Sequence, residues 1–150
     1  MKDIAREAVA FLKSGNPAEA ENKIRAFLQS FKDSGTMVAL GLGKTIAKSD
    51  LTLEALLPLV QHFWDSEDYI SKTFAVAILS KKTKEGSALV PVLYRLILSC
   101  EKDEEAERLA LSFAGRFFRD NKEMQIMLDE WEHEPAPYFK KVVEMVKERL

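Results

Sequence analysis

LEALLPLVQHFWDSEDYISKTFAVAILS, residues 53–80, decides the fold. Leu53, Leu56, Leu57 and Val60 recur at spacings of three and four residues, which predicts a helix over 52–65 with one apolar stripe. Ile70, Phe74 and Ile78 repeat every four residues and predict a second helix over 66–84. The stretch between them, FWDSEDY (63–69), carries an indole, three acids and two hydroxyls. Asp65 or Ser66 can cap the second helix, with Glu67 and Asp68 in its first turn, where the helix dipole favours negative charge. On residue types alone, the stretch is a corner between two antiparallel helices.

The same spacing continues outward in both directions. Ile4, Ala8, Phe11 and Leu12 mark a first helix closed by Gly15. Asn16-Pro17 opens a second helix, striped by Ala20, Ile24, Phe27, Leu28 and Phe31 and broken at Gly35. A third runs over 36–48, with Met37, Leu40 and Ile46 on one face. Beyond the central pair, Gly86-Ser87 starts a helix over 87–101, followed by one over 102–119. Asn121 opens the next, and Pro135 and Pro137 separate it from a last helix over 138–150. No strand-like alternation competes, so the expected class is all-α, with about nine helices in a single domain spanning 1–150.

A weak internal repeat points to stacked helix pairs. Pro58 and Pro91 lie 33 residues apart, each expected inside the first helix of a pair, where a proline bends the rod. At a spacing of 36, Ile70, Phe74 and Ile78 match Ala106, Ala110 and Ala114. Pairs of this length describe a HEAT- or tetratricopeptide-like α-solenoid. Taking helices two to nine as four pairs, the first members are net acidic and the second members net basic. In a stacked array the second helices line one face, so that face is expected to be basic although the net charge is −2.

Composition excludes several classes. A chain of 150 residues with 47% hydrophobic and 31% charged residues can bury a core and is not a disordered one. The lone Cys100 allows no internal disulfide and predicts a reducing, cytoplasmic setting. The amphipathic start, MKDIAREAVAFLKSG, lacks a signal-peptide core, and no apolar run approaches the ~18 residues of a membrane span. MVALGLGKTIAK imitates a phosphate loop, but the glycine required five residues before Gly43 is Val38, so no nucleotide cofactor is expected. His62 and His133 fit no metal spacing. His62 reads as a partly buried packing residue, Cys100 as a buried thiol, and DEWEHE (129–134) as a solvated helix end.

WDSEDYISKTF resembles a segment of the AlkD-type DNA alkylation repair family, glycosylases built from HEAT-like repeats. The residues that carry the likeness are Trp64, Asp68, Ile70, Thr73 and Phe74. It continues in DEEAERLAL, where Arg108 stands in place of the family's arginine, and in YFKKVVEMV through Lys141, Val142 and Val143. MVALGLGKTIAK is similar to an alanine-rich helix one repeat upstream. Two departures are visible: Met145 replaces a second active-site tryptophan, and the family's N-terminal helices have no counterpart here.

The resemblance implies cleavage of the N-glycosidic bond of cationic N3- or N7-alkylpurines in double-stranded DNA, without metal or cofactor. Asp68 would stabilise the oxocarbenium-like transition state and orient water. The Trp64 face would attract the cationic base, a contact worth roughly 0.5–2 kcal/mol. Arg108 would hold a phosphate, and Lys44, Lys48, Lys72, Lys81, Lys82, Lys140 and Lys141 would contact the DNA backbone. The other reading of the same residues is a non-catalytic helical-repeat scaffold for a protein or for undamaged nucleic acid. Neither reading involves a membrane.

Overall fold

The computed structural model describes residues 1–31 and 33–150, and their regular structure is helical throughout. They form two compact units, Met1–Lys82 and Thr83–Leu150. No helix among them is long and apolar enough to cross a membrane.

The first unit holds α1 (Lys2–Lys13), α2 (Pro17–Gln29), α3 (Gly35–Ala47), α4 (Leu53–Trp64) and α5 (Tyr69–Ser80). Gly15, at φ +78°, ends α1 in the left-handed conformation that glycine tolerates, and Pro17 sits at the start of α2. Thr52 caps α4 by accepting a hydrogen bond from the Ala55 amide at 3.2 Å. The main packing in this unit is α3 against α5, α4 against α5 and α1 against α2.

Helices α3 and α5 run in the same direction. Gly35, at the start of α3, faces Ile70 at the start of α5, and Gly43 faces Phe74 and Ala77 a little over two turns later. A Cβ on Gly43 would lie 2.7 Å from the Ala77 methyl and 2.9 Å from the Phe74 carbonyl oxygen. The glycine that imitated a phosphate loop is therefore a point of close backbone approach between two helices. The expected α3 face needs correcting as well. Met37 is 77% exposed, Leu40 is half-buried, and the buried positions are Gly35, Ala39, Leu42, Gly43, Ile46 and Ala47. Small residues mark the core side here, because the partner helix lies so close.

The second unit holds a 3-10 segment (Thr83–Leu89), α6 (Val90–Leu98) and α7 (Asp103–Leu109). A π turn, Ala110–Ala114, carries α7 directly into α8 (Gly115–Asp120). After a short 3-10 turn come α9 (Ile126–Trp131) and α10 (Phe139–Lys147). Its core is a chain of rings. Phe113, Phe117, Phe118, Trp131 and Phe139 are buried, Tyr94 packs on Phe139 at 4.8 Å between centroids, and Trp131 meets Phe118 edge-on at 5.9 Å.

Two sequence expectations fail in this unit. Pro91 lies in the first turn of α6, where its missing N–H costs nothing, so only Pro58 sits inside a helix and the paired bend is absent. The segment before Pro91 winds instead as short 3-10 turns broken at Gly86, whose φ is +67°. Asn121 does not cap the helix after it. Its buried side chain donates backwards, to the carbonyls of Thr83 at 2.6 Å and Phe117 at 2.8 Å, while the Thr83 hydroxyl donates to Asp120. This staple ties the 3-10 segment to the end of α8.

Candidate functional site at the corner between helices four and five

The corner is built from the carbonyl end of α4. A helix C-terminus leaves carbonyls unpaired and carries partial negative charge, so it attracts cations and hydrogen-bond donors. Two cations answer here. The Lys72 ammonium donates to the Trp64 carbonyl at 2.5 Å, and Arg25, reaching over from α2, donates to the His62 carbonyl at 3.4 Å. Ser66 donates its hydroxyl to the same His62 carbonyl at 3.1 Å.

Arg25 organises the rest. Its guanidinium carbon sits 4.2 Å from the centroid of the buried Phe63 ring. It donates to the Ser66 hydroxyl at 2.9 Å, to Glu21 at 3.4 Å and to Ser71 at 3.5 Å. Glu21 also stands 3.2 Å from Nδ1 of His62, whose side chain is exposed rather than packed as the sequence suggested. Sequence reasoning missed Arg25. Its only local signal is the Glu21–Arg25 spacing, which reads as an ordinary surface pair and says nothing of a reach across 41 residues to Ser66.

FWDSEDY then resolves residue by residue. The cap of α5 is Asp68, whose carboxylate accepts from the Ser71 amide at 2.9 Å, not Asp65 or Ser66. The helix accordingly starts at Tyr69 and ends at Ser80, shorter than the 66–84 expected. Asp65 accepts from Gln61 one turn back in α4, and Ser66 is held between His62 and Arg25. Asp68 remains exposed and lines an open cleft of about 360 Å³ with Arg25, Leu28, Gln29, Phe31, Ile70 and Ser71.

Trp64, to which the resemblance assigned the cationic base, lies in the core. It is 1% exposed, and the Lys72 ammonium lies 4.7 Å from its ring centroid. The indole assigned to a cationic base is already faced by a cation of the chain itself. Lys72, assigned to a DNA phosphate, is half-buried in that contact.

The remaining lysines divide. Lys44 and Lys48 are exposed on one side of the end of α3, Lys81 is exposed at the end of α5, and Lys82 is half-buried just beyond it. Every residue of α5 from Thr73 to Ser80 is buried, so α5 offers no continuous basic strip between Lys72 and Lys81. In the second unit Lys140 is exposed on α10. Lys141 is committed to acids of α7, at 3.1 Å from Glu107 and 3.6 Å from Asp103. These partners hold its ammonium above its ordinary pKa, the hydrogen bond to Glu107 foremost. Met145 borders an open groove of about 610 Å³ with Tyr138, Lys141 and Glu144. Arg108, in the last turn of α7, is half-buried, and burial holds its guanidinium below its ordinary pKa. Cys100 is a buried thiol, and the described residues contain no cluster of three or more metal-ligating side chains.

No family model matches the chain, and no curated protein or solved structure matches it either.

Proposed function

We propose that the chain is a non-catalytic helical-repeat module that binds a partner macromolecule, with α4/α5 as a HEAT-like pair and α3 stacked alongside α5. The parallel run of α3 and α5, closed at Gly43, supports the stacking. The observation that carries the functional half is the state of Trp64, buried and covered by Lys72. A cationic alkylpurine reaching that indole must displace a like-charged ammonium. It must also break a cation–π contact of roughly 0.5–2 kcal/mol and a charge-assisted hydrogen bond of roughly 1.5–3 kcal/mol. The substitution at Met145 and the engagement of Lys141 by Glu107 and Asp103 weigh the same way.

Glycosylase action is the second reading, and one observation favours it. Asp68 is exposed at an open cleft, with its carboxylate steadied by the Ser71 amide and the start of α5, a fit arrangement for a permanent anion. Incubating purified protein with N-methylated duplex DNA and measuring free 7-methylguanine and 3-methyladenine separates the two. The binding-module reading expects no release above the uncatalysed background at stoichiometric protein. Release that Asp68→Ala abolishes, with helicity retained, would replace it with the glycosylase reading.

A further inference from the structure

We infer that the cleft between the C-terminal half of α2 and the start of α5 receives a lysine or arginine side chain presented by a partner polypeptide. The inference rests on the binding-module reading and names the chemistry of its partner. Three properties of the cleft lead to it. Its volume, about 360 Å³, falls in the range of small-ligand sites and suits one long side chain. Its wall is apolar on both sides, with Leu28 from α2, Phe31 just beyond the end of that helix and Ile70 from α5.

The third property is charge. Among the described residues, two ionised groups line the cleft, Arg25 and Asp68. Arg25 is neutralised by Glu21 and tied to Ser66, Ser71 and the His62 carbonyl, so it is not available as an anion receptor. Asp68 accepts one backbone hydrogen bond through Oδ2 and forms no ion pair with any described cation. The α5 dipole, equivalent to about half a positive charge, offsets only part of that carboxylate. Among the described residues, the cleft therefore combines apolar walls with one carboxylate, Asp68, that no cation pairs. A lysine or arginine matches it, an aliphatic stem for Leu28, Phe31 and Ile70 and a cationic head for Asp68.

The test uses the whole chain with methyl-labelled isoleucine and leucine, titrated with N-acetyl-lysine N-methylamide and N-acetyl-arginine N-methylamide. The neutral N-acetyl-norleucine N-methylamide and free butylammonium are the comparators. The proposal expects the Leu28 and Ile70 methyl signals to shift and saturate in the millimolar range with the two cationic probes and not with norleucine. Asp68→Asn keeps a side chain that caps equally well, so the fold persists while the charge is gone. That variant should bind about fivefold more weakly, as for a partly exposed ion pair.

Absence of saturable shifts, equal response to norleucine, or unchanged affinity in Asp68→Asn overturns the proposal. Butylammonium binding more tightly than the blocked lysine assigns the cleft to a free small cation and overturns the polypeptide occupant. None of these outcomes depends on DNA chemistry. Failure here leaves the binding-module reading standing, and alkylpurine release removes that reading whatever the peptides do.

Discussion

Adding one methyl group at Gly43 tests the contact on which the first unit is built. In an ordinary helix interior, Gly→Ala gains about 1 kcal/mol, because alanine loses less backbone entropy on folding. At Gly43 the new Cβ would stand 2.7 Å from the Ala77 methyl. That is about 1 Å inside an ordinary carbon–carbon contact. It would also stand 2.9 Å from the Phe74 carbonyl oxygen, a backbone atom that moves only if α5 moves. Parting α3 from α5 loosens the packing of buried Ala39, Leu42 and Ile46, an overpacking cost of roughly 1–3 kcal/mol.

Gly43→Ala should therefore lose a net amount of about 1 kcal/mol against the propensity gain. Gly41, two residues earlier in the same helix, is the control. A Cβ there meets only the far end of the Met1 side chain, at 3.0 Å, which can swing aside. Gly41→Ala should gain up to about 1 kcal/mol. Urea unfolding followed by circular dichroism at 222 nm gives both values, with unchanged m-values certifying the comparison. If Gly43→Ala is as stable as Gly41→Ala, the close approach of α3 and α5 is wrong, and with it the support for the stacking.

Three further expectations follow from other contacts. Arg25→Met keeps most of the side-chain volume and removes the donors to Ser66 and the His62 carbonyl; urea titration should show a loss of roughly 2 kcal/mol, as for hydrogen bonds to a charged group. Asn121→Leu strips the Thr83 and Phe117 carbonyls of their shared donor and should cost roughly 1–3 kcal/mol. Hydrogen exchange in that variant should accelerate first in the 83–89 segment. Burial, and after it Glu134, holds the Tyr94 phenol above its ordinary pKa of 10.0. A group whose pKa is raised on folding contributes stability that is complete below the unfolded value and lost as pH rises through the folded one. Tyr94→Phe should therefore flatten the fall in stability above pH 10, measured as the difference between variant and parent, and leave that difference constant between pH 7 and 9.

The helical reading was legible because it needs only spacing. The stripes of α2 and α4 reappear with Ala20, Ile24 and Leu28 buried in one and Leu53, Leu56 and Val60 in the other. Errors came where a residue's partner lies far away in the chain. Met37 and Ile46 have the same hydrophobic character, and only the position of α5 decides that Ile46 is covered while Met37 is not. Asn121 satisfies the local rule for a cap, yet a carbonyl 38 residues away takes its amide.

FWDSEDY shows the same limit at the candidate site. The capping chemistry of its acids was readable, although the cap falls on Asp68. The fate of Trp64 was not, because indoles serve equally as core and as binding platform. What separates the two uses is Lys72, eight residues on, bending back over the ring. Arg25 was invisible for the stronger reason that its contacts join α2 to a corner 37 to 46 residues later.

The most direct test of the account is the accessibility of Trp64. Trp131→Phe leaves it the sole tryptophan, and acrylamide quenching then reports on that indole alone. The account predicts blue-shifted emission and weak quenching, both unchanged when N-methylated duplex DNA is added. A readily quenched indole, or one whose emission or quenching changes on adding methylated but not unmethylated duplex, would contradict it and place Trp64 at the lesion.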